Sequence, residues 1–236
     1  MVDNKFSQRS RMPIGFAHRG APRTRAEQNT LPAFERALAL GARALEMDVG
    51  LTADGEPVLL HPRILLRRGL DVTRLQRHEL PASIPTLADL YRRCGADFDL
   101  ALDMAQPSAV DAVVRVAEQH GAGGRLWLTY WRLPVLAEWR RRWPHLKLVY
   151  ATIPTRPGGA AVVEHLADTG MDAINVFHRL CTRRLVEAAH ARDLRIFAWG
   201  VRSRRPLERV LARSVDGVFC DDVEAMVRVI QESGWK

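Results

Sequence analysis

Ala44-Leu45-Glu46-Met47-Asp48-Val49 alternates apolar and acidic side chains. A period of two is the signature of a β-strand, and it points Glu46 and Asp48 to one side and Leu45 and Met47 to the other. An exposed edge strand with solvated acids would show the same alternation. The helical segments flanking the stretch instead favour a central parallel strand. On the inner side of such a strand, two neighbouring carboxylates repel each other unless a cation lies between them.

Outward from this stretch the chain repeats one pattern. Ile14-Gly15-Phe16-Ala17 is a short apolar run ending at His18, and Leu31, Phe34, Leu38 and Leu40 recur at helical spacing between Thr30 and Gly41. After the acidic stretch, Thr52-Ala53-Asp54-Gly55-Glu56 carries an Asp-Gly hairpin signal, with Val58-Leu59-Leu60 as the return strand and His61 directly behind it. Residues 62–83 are arginine-rich and irregular. Helices are then predicted from Pro85 to about Arg93 and over 108–119, 133–143, 159–169, 182–191, 204–212 and 222–233. Strands predicted to begin at 14, 44, 98, 126, 146, 173, 195 and 217 alternate with these helices. Eight βα units in a chain of 236 residues predict an α/β fold, a (β/α)8 TIM barrel with a short insertion after strand two.

Composition sets the frame for partners. With 47% apolar residues the chain can bury a substantial core, and its net charge of +8 points to an anionic partner. Lys5, Lys147 and Lys236 are the only lysines, so arginine carries nearly all the positive charge, as suits bidentate phosphate contacts. No nucleic-acid motif accompanies that charge, so no nucleic-acid partner is expected. A weak association with an anionic membrane surface remains compatible with it. Cys94, Cys181 and Cys220 form neither a CxxC pair nor a zinc spacing. No apolar run reaches the roughly 18 residues of a transmembrane segment, and Met1 to Met12 lacks a secretory apolar stretch. The expectation is a flexible leader over residues 1–12, a single domain over 13–236 and a cytoplasmic location.

In a barrel of this kind function gathers at the C-terminal ends of the strands. His18 ends strand one, Glu46 and Asp48 end strand two, Asp103 ends strand three and Trp199 ends strand seven. Histidines for proton transfer, a guanidinium for phosphate and hard oxygen ligands for a divalent cation are what phosphate-ester chemistry requires. His178, following strand six on the same face, is a candidate lining residue. Asp221, after the last strand, reads equally as a helix N-cap. His78, His120, His145, His165 and His190 lie in loop or helical contexts and are expected to be structural.

The ordered motifs His18-Arg19-Gly20, Gln28-Asn29-Thr30, Ala33-Phe34, Gly41-Ala42, Glu46-Met47-Asp48, Thr52-Ala53-Asp54-Gly55 and His61-Pro62 resemble the glycerophosphodiester phosphodiesterase family. Ile84-Pro85-Thr86-Leu87 and Val215-Asp216-Gly217-Val218 fit the same pattern. The resemblance implies a phosphoric diester hydrolase that converts glycerophosphodiesters to an alcohol and glycerol 3-phosphate. It implies one divalent cation, Ca2+ or Mg2+, on Glu46, Asp48 and Asp103. It also implies His18 and His61 as the acid–base pair, with Arg19 on the phosphate and Trp199 beside the glycerol or alcohol moiety. In that family the glycerol hydroxyl next to the phosphate is thought to attack first, giving a cyclic phosphate that water opens.

Three positions depart from the pattern. Gln28 replaces the glutamate of Glu-Asn-Thr, with Glu27 as a candidate stand-in; Pro62 replaces the aspartate after the second histidine; and Ala105 replaces the lysine two residues after the strand-three acid. They leave two alternatives open: a degenerate barrel that binds phosphoesters without efficient turnover, and a phospholipase D-like enzyme acting on a different headgroup.

Overall fold

Parallel strands with one set of side chains turned inward close on themselves in a computed structural model that describes residues 12–61, 71–152 and 159–232. The strands are β1 (Ile14–His18), β2 (Ala44–Leu51), β3 (Pro57–Leu59), β4 (Asp99–Met104), β5 (Leu126–Tyr130), β6 (Lys147–Ala151), β7 (Ala173–Phe177), β8 (Arg195–Val201) and β9 (Gly217–Cys220). The helices are α1 (Leu31–Ala39), α2 (Leu87–Cys94), α3 (Val110–Gln119), α4 (Leu133–Arg142), α5 (Ala160–Asp168), α6 (Arg183–Ala191), α7 (Arg204–Leu211) and α8 (Val223–Glu232). All strands but β3 run parallel in the order β1-β9-β8-β7-β6-β5-β4-β2, and pairing of β1 with β2 closes the barrel. The fold is the TIM barrel expected from the strand count. Of the leader expected over residues 1–12, only exposed Met12 lies within the described residues.

The expected insertion is β3, which folds back antiparallel on the outer end of β2 with Val49 opposite Leu59 and Leu51 opposite Pro57. Its hairpin turn is tied by Thr52, whose hydroxyl donates to Asp54 Oδ1 at 2.6 Å. Thr86, expected near the start of α2, caps it in a reciprocal box with Asp89.

Each barrel strand contributes one side chain to a closed interior layer: Phe16, Ala44, Ala101, Trp127, Val149, Ala173, Phe197 and Phe219. Small residues on β2, β4 and β7 leave room for the aromatic groups. Phe16 stacks on Phe219 at 4.6 Å and Trp127 meets Phe197 edge-on at 5.3 Å. Leu45, Met47, Leu100 and Leu102, which alternate with the inward groups, are buried beneath the helices. The interior is therefore a packed plug, and the polar ends of β1, β2 and β4 stand above it.

Candidate active site

The turn after β1 decides where the polar groups point. Arg19 and Gly20 both have left-handed backbones, with φ of 61° and 80°. A side chain at Gly20 would place its Cβ 2.7 Å from the carbonyl carbon of Ala33, so only glycine lets α1 approach this closely. Arg19 costs of order 1 kcal/mol in this conformation, and Asn29, with φ 60°, adds a similar strain. Three hydrogen bonds hold the turn. The Arg19 N–H donates to the Glu46 carbonyl at 2.8 Å and to Glu46 Oε2 at 3.2 Å, and the Asn29 N–H donates to the Arg19 carbonyl at 3.3 Å. Backbone strain concentrated beside charged side chains is a mark of functional sites.

Strand register places the groups relative to one another. His18 lies beside Glu46 across β1–β2, and Asp48 lies beside Asp103 across β2–β4. Glu46 Oε2 is 3.8 Å from His18 Nε2, and the other ring nitrogen, Nδ1, is hydrogen-bonded to Asp221 Oδ1. Arg19 Nε approaches Asp48 Oδ2 at 3.2 Å as an ion pair without hydrogen-bond alignment, and Arg19 Nη1 donates to Gln28 Oε1 at 3.2 Å. The Asn29 amide donates to Asp48 Oδ2 at 3.2 Å and leaves its own buried oxygen without a hydrogen-bond partner.

Among the described residues, carboxylates outnumber cations here. Burial, then the charges of Asp48 and Asp103, push Glu46 up to about 8 although His18 pulls it down. Asp103 is raised to about 7 by its crowded setting and then by Asp48. Its side chain stands exposed at the rim of the mouth. Burial alone would lower His18, but the Glu46 charge and the Asp221 hydrogen bond outweigh it and raise the ring above its ordinary value.

Among the described residues, no three His, Cys, Asp or Glu side chains are gathered closely enough to hold a metal ion. The donor chemistry nevertheless fits a hard divalent cation. Three carboxylates share the mouth, two of them driven toward protonation partly by the others, and the unpartnered Asn29 oxygen lies beside Asp48.

The other expected residues are placed as follows. Leu60 N–H donates to the Asp48 carbonyl at 3.1 Å, which carries the chain into His61 beside the end of β2. Trp199 packs on the interior layer and lies 4.9 Å from Phe177. His178 is buried, and after burial itself the charges that weigh most on it are Arg179, Arg209, Arg213 and Arg202. Thr129 on β5 and Asn175 on β7 turn inward and are buried, each with a side-chain oxygen that lacks a hydrogen-bond partner.

Of the three departures, Gln28 is engaged with Arg19. Glu27 does not stand in for it, because its carboxylate accepts from the Arg23 N–H and pairs with Arg36 at 2.9 Å. Ala105 only donates its backbone N–H to the Val49 carbonyl. Pro62 lies outside the described residues. Asp221 is the functional neighbour that sequence reading left undecided. The cap of α8 is Asp222, whose Oδ1 accepts from the Ala225 N–H at 3.1 Å, which leaves Asp221 for His18. Histidines expected to be structural have such partners: His190 meets Asp216 at 2.9 Å and His120 stacks on Tyr91 at 5.2 Å.

Comparison with known proteins gives a consistent result. A glycerophosphodiester phosphodiesterase of Caldanaerobacter subterraneus is 26% identical over 246 residues, spanning 93% of this chain and 98% of that one. The solved structure of a glycerophosphodiester phosphodiesterase from Thermotoga maritima matches with a TM-score of 0.78 at 24% identity, covering 93% of this chain and 99% of that one. An Oleispira antarctica phosphodiesterase, solved with the product sn-glycerol-3-phosphate, matches at 0.79 and 20% identity over 94% of this chain and 97% of that one. The two structural likenesses carry the fold. The model of the glycerophosphoryl diester phosphodiesterase family matches residues 18–225, and the chain belongs to that family.

Proposed function

We propose that this protein hydrolyses glycerophosphodiesters to an alcohol and glycerol 3-phosphate. The observation that carries the reading is the convergence of His18, Arg19, Glu46 and Asp48 where β1 meets β2, with carboxylates in excess over the cations among the described residues. Arg19 is placed to take a phosphate oxygen, since its Nε–H is near Asp48 but not aligned with it. His18 and His61 form the acid–base pair. One accepts the proton of the attacking hydroxyl, and the other returns a proton to the departing alcohol oxygen. Trp199 offers its face to the glycerol or alcohol carbon chain. Glu46, Asp48 and Asp103 are the residues that would hold one divalent cation, Ca2+ or Mg2+, which when bound polarises the phosphoryl oxygens and neutralises their charge.

The substrate is a small phosphodiester, and no helix of the described residues is long and apolar enough to cross a membrane. We place the protein in the cytoplasm with residues 13–236 as one functional unit. A second reading, phosphoester binding without efficient turnover, is favoured by Ala105, which brings no cation to the mouth. The deciding experiment measures glycerol 3-phosphate released from glycerophosphocholine and glycerophosphoethanolamine, in calcium, magnesium or chelator, with wild type and His18→Ala. Metal-dependent release that disappears in His18→Ala is the expected result. Failure of every condition to yield turnover overturns the hydrolase reading in favour of the binding one.

A further inference from the structure

We infer that Asp221 is a positioning residue for His18, fixing the ring with its proton on Nδ1 so that Nε2 alone exchanges protons with the substrate. The inference rests on the hydrolase reading for its catalytic meaning, but its structural content stands apart from it.

The geometry separates the two ring nitrogens. Nδ1 meets Asp221 Oδ1, while Nε2 faces the inner side of β2, 3.8 Å from Glu46 Oε2. Asp221 is anchored from two sides. Its backbone N–H donates to the Val201 carbonyl at 2.9 Å, and its second oxygen lies 3.7 Å from Arg202 Nε. The next residue, Asp222, begins α8 by capping it, so the two adjacent acids have different tasks. An ionised carboxylate can only accept a hydrogen bond, so the hydrogen between Asp221 and the ring belongs to Nδ1. Asp221 is held below the usual carboxylate range: burial works against this, and the His18 hydrogen bond and charge, with Arg202, prevail. Whether the ring is neutral or cationic, Nδ1 keeps its hydrogen and Nε2 is where the proton arrives and leaves. A carboxylate that orients an imidazole in this way selects the tautomer without taking the proton itself.

The contact joins the last strand to the first, so the same two residues also fasten the seam between β9 and β1. A purely structural role therefore has to be distinguished from a positioning one. Nitrogen-15 NMR of the histidine rings in the whole, metal-free protein reads the tautomer directly, with His18→Ala assigning the signal. The neutral His18 ring is expected to carry its proton on Nδ1 in wild type and to shift to a tautomer mixture in Asp221→Ala. A wild-type ring protonated on Nε2, or one unchanged in Asp221→Ala, overturns the inference whether or not the protein turns over substrate. In turnover of glycerophosphocholine with calcium, Asp221→Ala is expected to lower kcat by roughly a hundredfold or more with KM little changed. Asp222→Ala, which loses the helix cap, is expected to lower Tm while leaving kcat as in wild type. Equal losses of Tm in the two variants, with kcat per folded molecule retained in Asp221→Ala, would make Asp221 a structural tie only.

Discussion

Both ends of this barrel gather charged groups, and the two ends handle them in opposite ways. At the N-terminal floor, Asp99 accepts from the Trp127 indole N–H at 2.8 Å and from Lys147 at 3.3 Å, while Lys147 and Arg195 lie over the Trp127 ring at 4.7 and 5.2 Å. Each charge there has an opposite charge or an aromatic face. At the C-terminal mouth, Glu46, Asp48, Asp103 and Asp221 face Arg19, His18 and the rim residue Arg202. The floor is neutralised by its own residues and serves stability. Among the described residues, the mouth carries more carboxylates than cations, an arrangement that costs stability and is typical of a site built for a ligand.

Substitutions can break this contrast. The largest effect is expected at the mouth, where His18→Ala is predicted to reduce kcat by about 10²–10⁴, measured by steady-state kinetics. Next is the floor: Trp127→Ala removes a fully buried indole from the interior layer and is predicted to cost about 3–5 kcal/mol in denaturant unfolding. A smaller effect concerns pH. Glu46 is raised from 4.5 to about 8, so without metal the folded state keeps a proton that the unfolded chain releases, and stability falls as pH rises across that interval. His18 acts in the same direction: its contribution is complete below its ordinary 6.5 and disappears as pH rises through its raised folded value. Thermal melting in chelator is therefore expected to show Tm decreasing from pH 5 to pH 8, with a flatter profile in Glu46→Gln. The smallest effect is expected for Lys147→Met, whose half-exposed pair with Asp99 contributes no more than about 1 kcal/mol.

The same contrast governs what the sequence could convey. Strands and helices were legible because inward and outward side chains alternate with fixed periods, and the eight predicted strand starts fall within one residue of those observed. Glu46 and Asp48, expected to end their strand, are followed by three more strand residues to Leu51, where β3 pairs. His18 and Asp103 were legible as strand-end residues because a barrel collects those ends on one face. The bond between His18 and Asp221 was not, since it joins residues 203 positions apart and Asp221 and Asp222 look alike in one dimension. Gln28 could be read as a lost charge but not as the partner of Arg19, which depends on two left-handed backbones that no residue pattern announces. The floor was equally hidden, because Asp99, Trp127, Lys147 and Arg195 come from four different strands.

We propose that the carboxylates of the mouth receive a divalent cation. Thermal melting of the chelator-treated protein on addition of Ca2+ tests it without reference to any substrate. The expected result is a rise in Tm, roughly 2–4 °C for each kcal/mol of binding energy, that is lost in Glu46→Gln and kept in Lys147→Met. An absence of any rise in wild type, or the same rise in Glu46→Gln, would contradict it.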